Sequence, residues 1–394
     1  MPQHAPTDWS PPCAVQGGRA VVSCLAAGSV EPPLGAEPLL GVEAVVLVGG
    51  LGTRMRPLTL SAPKPMLPTA GVPFLTHLLG RIRAAGVRHV VLGTSYRAEV
   101  FATHFGNGAA LGLKLDYVVE EQPLGTGGGI RNVASALTEP DVLVFNGDVL
   151  SGLDPAEVMR THRKAGADVT LHLVRVPDPR AFGCVPTTAD GQVLGFLEKT
   201  DDPPTDLINA GCYAFRREVI DSIPEGRAVS VERETFPGLL AAGAQVHAHV
   251  DSSYWLDLGT PAAYVQGSAD LVRGLAPSPA LPGPVGEALL LPGASVHPDA
   301  RVGAGSVVGA DTVVQRGAQV LGSVLMDRAQ VGPGAHVQRS VLGVGAHVGA
   351  GAVLHDAVVG DGAVVGARCE LLNGLRVWPG VVLPDNGVRF SADV

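Results

Sequence analysis

Aromatic side chains are scarce in this chain, only 4% of its 394 residues. Hydrophobic residues nevertheless reach 46%, so the core must be built from Val, Ala and Leu in close and repetitive packing. Basic charge is short as well. Lys and Arg number 28 against 37 Asp and Glu, a net charge of −9. That balance speaks against a nucleic-acid or anionic-membrane binder, because both need a basic surface. Any phosphate handled here must be held by a few local cations and by backbone amides. The five cysteines, Cys13, Cys24, Cys184, Cys212 and Cys369, are scattered and odd in number, with no Cys-x-x-Cys spacing. A disulfide framework and a zinc site are both excluded, and free thiols in a reducing, cytoplasmic compartment are expected. Also missing is an apolar run of the roughly eighteen residues that a membrane span requires. The short piece Ala20 to Ala27 is preceded only by Arg19 and flanked by Pro11, Pro12, Pro32 and Pro33. It is expected to be part of an irregular extension over 1–42, without membrane or secretory function.

Glycine is what the chain has in excess, at 52 residues. From Glu43 the pattern becomes alternating strand and helix. Ala44 to Val48 is a continuous apolar run ending in Gly49-Gly50, as in a buried parallel strand entering a loop. A helix is expected over Pro73 to Ala85, then strands at Val87 to Leu92 and Leu115 to Val119, and a helix ending near Leu137. A strand at Asp141 to Phe145 runs into Asn146-Gly147-Asp148. Shorter strands are expected at Asp168 to Val174, Val193 to Leu197 and Gly211 to Phe215, and a last helix between Pro261 and Arg273. This alternation implies an α/β, doubly wound domain over 43–273 with a mostly parallel sheet, and ligands at the carboxyl ends of its strands.

Residues 274–287 read as a Pro-rich linker. In 288–394 apolar residues recur at Val296, Val302, Val308, Val314, Val320, Leu325, Val331, Val337, Leu342, Val348, Val353, Val359, Val365, Leu371, Val377 and Leu383. Every step is six residues except three of five, at Val320 to Leu325, Val337 to Leu342 and Val348 to Val353. Small residues dominate between them. This is a hexapeptide repeat, and a C-terminal left-handed parallel β-helix is expected.

The loop Gly49-Gly50-Leu51-Gly52-Thr53-Arg54-Met55-Arg56-Pro57, followed by Pro63-Lys64-Pro65, directly follows the first strand. Glycines there let backbone N–H groups approach phosphate oxygens, while Arg54 and Lys64 add fixed positive charge where a pyrophosphate would leave. The spacing is neither that of a Walker A loop nor that of a dinucleotide fingerprint. The whole block resembles the signature of the nucleoside-diphosphate-sugar pyrophosphorylases, and the resemblance extends over about Glu43 to Val272.

That resemblance implies transfer of a nucleotidyl group from an NTP to a sugar-1-phosphate, with Arg54, Lys64 and Lys199 as catalytic cations. It places Leu47, Gly49, Gly50, Gly52, Thr53, Gly125 and Thr126 against the nucleotide, and Glu120 of Glu120-Glu121-Gln122-Pro123-Leu124-Gly125-Thr126 against the base. Relatives handling thymidine nucleotides have Gln at the position of Glu120. A carboxylate can accept both donors of guanine's Watson–Crick edge, whereas thymine suits an amide, so GTP is favoured. Asn146, Gly183, Glu198, Lys199 and Asn209 are implied to bind the sugar phosphate, although Thr200 stands where the family usually has Pro. Asp148 and Asp257, the latter in Trp255-Leu256-Asp257-Leu258-Gly259, are the candidate Mg²⁺ ligands, because Mg²⁺ takes a few carboxylates beside phosphate oxygens and water. Ser230-Val231-Glu232-Arg233-Glu234-Thr235-Phe236-Pro237 and Ile208-Asn209-Ala210-Gly211-Cys212-Tyr213 resemble the branch that makes GDP-mannose. The alternatives are thymidylyl, adenylyl or uridylyl transfer to glucose-1-phosphate, or a non-catalytic subunit that binds nucleotide-sugar. His77, His89 and His104 read as structural. His297, His336, His347 and His355 fall in the repeats without any acyl-carrier signature. The flat sides of the repeats suit homo-oligomer assembly.

Overall fold

A computed structural model describes residues 39–197, 201–281 and 283–389. Glu198, Lys199 and Thr200, like Cys13, Cys24 and the piece Ala20 to Ala27, lie outside the described residues. Among the described residues, 39–267 with 276–280 form one compact unit, and 268–275 with those from 281 onward form the other.

The first unit is built on a seven-stranded sheet. Its strands are β1 (Val42–Leu47), β2 (His89–Thr94), β3 (Lys114–Val119), β4 (Asp141–Asn146), β6 (Val169–Arg175), β7 (Leu207–Arg216) and β8 (Val246–Asp251). A separate ribbon pairs β5 (Val149–Ser151) with β9 (Trp255–Asp257). The spatial order of the main sheet is β8-β6-β7-β4-β1-β2-β3. All neighbours are parallel except β7, which runs antiparallel to both β4 and β6. The helices are α1 (Phe74–Ala84), α2 (Ala98–Phe105), α3 (Gly125–Asn132), α4 (Pro155–Ala165), α5 (Arg217–Ser222), α6 (Phe236–Ala241) and α7 (Pro261–Arg273).

Alternation along β1 shows why both faces are covered. Val45 joins one core with residues of α3, α5 and α6, including Ile130, Ile220 and Phe236. Its neighbours Ala44 and Val46 join another with residues of α1, α2 and α4, including Leu79, Phe101 and Met159. A strand buried on both faces reads as a continuous apolar run, which is how β1 is legible. The doubly wound, mostly parallel sheet is as expected. Four helices had no anticipated counterpart, α2, α4, α5 and α6. The strand expected over Val193 to Leu197 is absent, and that segment makes only single bridges such as Cys184 with Leu197 and Thr187 with Val193. Leu194 and Leu197 are exposed, so the apolar run there does not mark a core strand.

The second unit is a left-handed parallel β-helix of three stacked sheets with six, six and five strands. Equivalent residues stack coil on coil: Val308, Leu325, Leu342, Val359 and Val377 on one face. Val320, Val337, Leu354 and Leu371 stack on another. One repeat position needs correction. Leu354 is the wholly buried residue, while Val353 is 36% exposed. The third short step therefore runs from Leu354 to Val359. The reason lies in the corner chemistry, because all three short steps occur where the chain leaves the third sheet for the first. Each turns through a residue of positive φ, at Gly322, Arg339 and Asp356. Buried serines line that corner. Ser306 Oγ accepts from Ser323 N, Ser323 Oγ from Ser340 N, and Ser340 Oγ from Ala357 N, at 3.0–3.1 Å.

Candidate active site

The carboxyl ends of β1 and β4 lie side by side, with Leu47 paired to Asn146. Gly147 N donates to the Leu47 carbonyl at 2.9 Å, which ties the glycine loop after β1 to the Asn146-Gly147-Asp148 turn. Asp148 ends that turn, and β5 begins at the next residue. The β5/β9 ribbon then fixes a second acid beside it, because Asp257 pairs with Val149 and Leu258 N donates to the Asp148 carbonyl at 3.1 Å. Two carboxylates far apart in sequence are thereby made neighbours through backbone register.

A lysine stands between them. Lys64 Nζ is 2.9 Å from Asp148 Oδ2 and 3.8 Å from Asp257 Oδ1, and its side chain is 10% exposed. Arg54 reaches within 4.0 Å of Asp257 from a position 68% exposed. Burial holds the Asp257 carboxyl above its ordinary range, with the Asp148 charge adding to this, while Lys64 and Arg54 pull the other way. Like charges held this close in a partly buried pocket call for further positive charge. Among the described residues no group of three or more His, Cys, Asp and Glu is arranged as a metal cage. Two neighbouring carboxylates are a donor set that suits a divalent ion such as Mg²⁺, which keeps several non-protein ligands.

The expected base site gathers on the other side of the loop. Ser95 Oγ donates to the Gly49 carbonyl. A Cβ placed on Gly49 would lie 3.0 Å from Ser95 Oγ and 3.7 Å from Glu120 Oε2. Glu120 follows β3, is half-buried, and has its carboxyl raised by burial against the lowering effect of the Leu124 amide. Gly125 opens α3 at φ 69°, and a Cβ there would come within 2.6 Å of the Val229 carbonyl, so no other residue fits. Thr126 commits its hydroxyl to Glu232 Oε2 at 3.1 Å and accepts from Val231 N at 2.9 Å. Residues 230–235 thus clamp α3, with Ser230 Oγ also donating to Glu232. Gly50 and Thr53 are exposed on the loop, and Gly52 caps the short helix Thr53–Met55.

The expected sugar-phosphate residues form a third group. Asn209 lies in β7, Asn146 ends β4, and Gly183 precedes Cys184, which bridges to Ile208 of β7. Glu198 and Lys199 lie outside the described residues. Sequence reasoning did not single out Ser95 or the Glu232 contact with Thr126. Their only signal was proximity to motif residues, which a linear reading does not reveal.

A family profile described as Nucleotidyl transferase matches residues 43–274. The chain belongs to the nucleotidyl transferase family. Residues 284–393 of this nucleotidyl transferase match a second profile, described as GMPPB C-terminal domain. It is 65% identical over 354 residues to the mannose-1-phosphate guanylyltransferase of Mycobacterium tuberculosis, covering 90% of this chain and 99% of that one. Identity to the mannose-1-phosphate guanylyltransferase catalytic subunit beta of Drosophila pseudoobscura is 36%, over 66% of this chain and 72% of the relative. Among solved structures, HddC from Yersinia pseudotuberculosis, complexed with GMP-PN, is similar at a TM-score of 0.52 and 29% identity. That match covers 58% of this chain and 99% of that one. No helix among the described residues is long and apolar enough to cross a membrane.

Proposed function

We propose that this nucleotidyl transferase makes GDP-mannose and pyrophosphate from GTP and α-D-mannose 1-phosphate. The observation that carries the reading is the convergence of Asp148, Asp257, Lys64 and Arg54 at the mouth of the glycine loop. It is supported by the names of the curated relatives and by the carboxylate of Glu120 at the base site.

A sugar-1-phosphate is already mostly dianionic at neutral pH, since a phosphomonoester's second pKa is about 6. No protein base is needed to create the nucleophile. The protein's task is to hold two anions in line and to spread the charge that develops as pyrophosphate leaves. Asp148 and Asp257 would hold Mg²⁺, which screens the phosphate charges when bound. Lys64 and Arg54 supply cations at the same place, and Lys199 is assigned to the sugar phosphate. Glu120 accepts from guanine N1–H and the exocyclic amine. Asn146, Asn209, Gly183 and Glu198 form the sugar side. We further infer a cytoplasmic enzyme that assembles as a homo-oligomer through its β-helix.

Pyrophosphate release measured across GTP, ATP, dTTP and UTP, each with mannose 1-phosphate and glucose 1-phosphate, tests the assignment. The GTP and mannose 1-phosphate pair is expected to lead in kcat/KM by at least tenfold. Preference for another pair overturns the substrate assignment, and absence of turnover with every pair overturns the activity.

A further inference from the structure

A buried phenol lies beneath the proposed sugar site. Tyr213, in β7, pairs with Val144 of β4 and Leu171 of β6 and has no exposed surface. Its ring packs against Phe215 and Phe236, with centroids 6.1 and 5.3 Å away. A phenol in such surroundings must place its hydroxyl on polar partners. Asn209 Nδ2 donates to the Tyr213 oxygen at 2.8 Å. The Asn146 side chain acts on the same oxygen as a hydrogen-bond donor, opposing the rise in the phenol's pKa as Asn209 does. Burial first, and then the nearby Glu232 carboxylate, push the phenol far above its ordinary pKa, so it keeps its proton at every working pH.

A neutral phenol has one proton to give and two lone pairs to share. Those two lone pairs face the two asparagine amides, Asn209 donating to one and Asn146 acting as a donor to the other. Neither asparagine is exhausted by this. Asn209 Oδ1 accepts from Gly211 N at 3.1 Å, which leaves its second N–H free. Asn146 and Asn209 are both half-exposed, whereas Tyr213 is sealed. Gly211 makes room for the arrangement, because at φ 78° a Cβ would lie 2.9 Å from Asn146 Nδ2.

We propose that the Tyr213 hydroxyl is a positioning group for the sugar phosphate: it fixes the rotamers and the donor–acceptor sense of Asn146 and Asn209 from below. The proposal rests on the assignment of those two asparagines to the sugar site. An amide left free to flip presents a donor and an acceptor to a sugar hydroxyl with equal ease. One held by Tyr213 presents a single pattern, which is what separates epimers differing only in the direction of one hydroxyl.

Tyr213→Phe removes the hydroxyl and keeps the ring. In the full-length enzyme the KM for mannose 1-phosphate is expected to rise about tenfold, with KM for GTP within twofold and kcat within threefold of wild type. The preference for mannose 1-phosphate over glucose 1-phosphate should fall as well. In an Asn209→Ala background the same change should add clearly less than tenfold, because part of its effect runs through that amide. A wild-type KM in Tyr213→Phe, a rise shared equally by both substrates, or full additivity with Asn209→Ala each overturns the proposal. The sugar-site assignment is tested separately. If Asn146→Ala and Asn209→Ala both leave KM for mannose 1-phosphate unchanged, that assignment fails and takes the proposal with it. Should Tyr213→Phe not fold, site-specific 3,5-difluorotyrosine at 213 weakens the oxygen as an acceptor and sharpens the hydroxyl as a donor with little change in ring size, and an unchanged KM for mannose 1-phosphate then overturns the proposal.

Discussion

Lys64 touches both acidic residues of the site and is the better sheltered of its two cations. Replacing it with Ala removes charge from where the leaving group develops its own, and leaves Asp148 and Asp257 facing each other with only the more exposed Arg54 beside them. Turnover with GTP is expected to fall by about a hundredfold to a thousandfold, comparable to loss of a fixed charge-stabilising donor. Far-UV circular dichroism should remain that of wild type, and near-normal steady-state turnover would contradict the role. Glu120 makes a different kind of statement, about which base is read. Glu120→Gln presents a donor and an acceptor in place of two acceptors, so kcat/KM for GTP should drop by about a hundredfold while that for dTTP or UTP rises or holds. At this scale the sequence was informative where a residue stands in a dense motif, as Arg54, Lys64, Asp148 and Asp257 do. It placed Tyr213 in a motif but gave its hydroxyl no task, because an aromatic in an apolar strand has the same appearance whether or not its hydroxyl has work to do.

Helix α1 shows how an element can depend on one neutral side chain. His77 is fully enclosed, with Nε2 donating to the Thr69 carbonyl at 2.9 Å and Nδ1 paired with Ser278 Oγ at 2.7 Å. Burial, with Arg81 adding to it and the Thr69 bond opposing, lowers its pKa to about 4 from an ordinary 6.5. The unfolded chain therefore takes up a proton in that window which the folded chain refuses. Stability from this group is complete above pH 6.5 and is lost as pH falls towards 4. Between pH 7 and pH 5 the loss should amount to about 2 kcal/mol. His77→Gln is expected to flatten that part of the profile in urea midpoints taken at the two pH values. The β-helix has its own internal dependency in the serine corner. Ser323→Ala leaves the buried Ser340 N–H without its acceptor and should cost about 1–3 kcal/mol in chemical unfolding of the intact chain. Repeats of this kind are legible because each coil obeys the same rule. The slip at Val353 arose because two adjacent apolar residues, Val353 and Leu354, satisfy a spacing rule equally, and only the corner decides between them.

For the whole molecule, the two carboxylates proposed to hold the metal belong to segments 109 positions apart (257 − 148), and a ligand that bridges them would tie the first unit together. A ligand that binds only the folded state stabilises it by about 2.7 kcal/mol at a hundred times its Kd. Mg²⁺ and GTP added together should therefore raise the thermal midpoint by several degrees, GTP with EDTA much less, and Asp148→Asn should abolish the difference. An equal rise with and without Mg²⁺ would remove Asp148 from the metal site.

The amino-acid order by itself determined the architecture: a two-sided parallel sheet from continuous apolar strands, a coil from hexapeptide spacing, and a tight loop from glycines placed after a strand. Each depends on local periodicity or local backbone freedom, and a linear text records both. Tertiary structure alone decided that Asp257 stands beside Asp148, because a backbone register between β5 and β9 puts it there. It alone decided that Thr126 turns to Glu232, and that Tyr213 holds two amides. Those contacts join residues distant in sequence, through pairings whose partners are chosen only when the whole sheet closes around them.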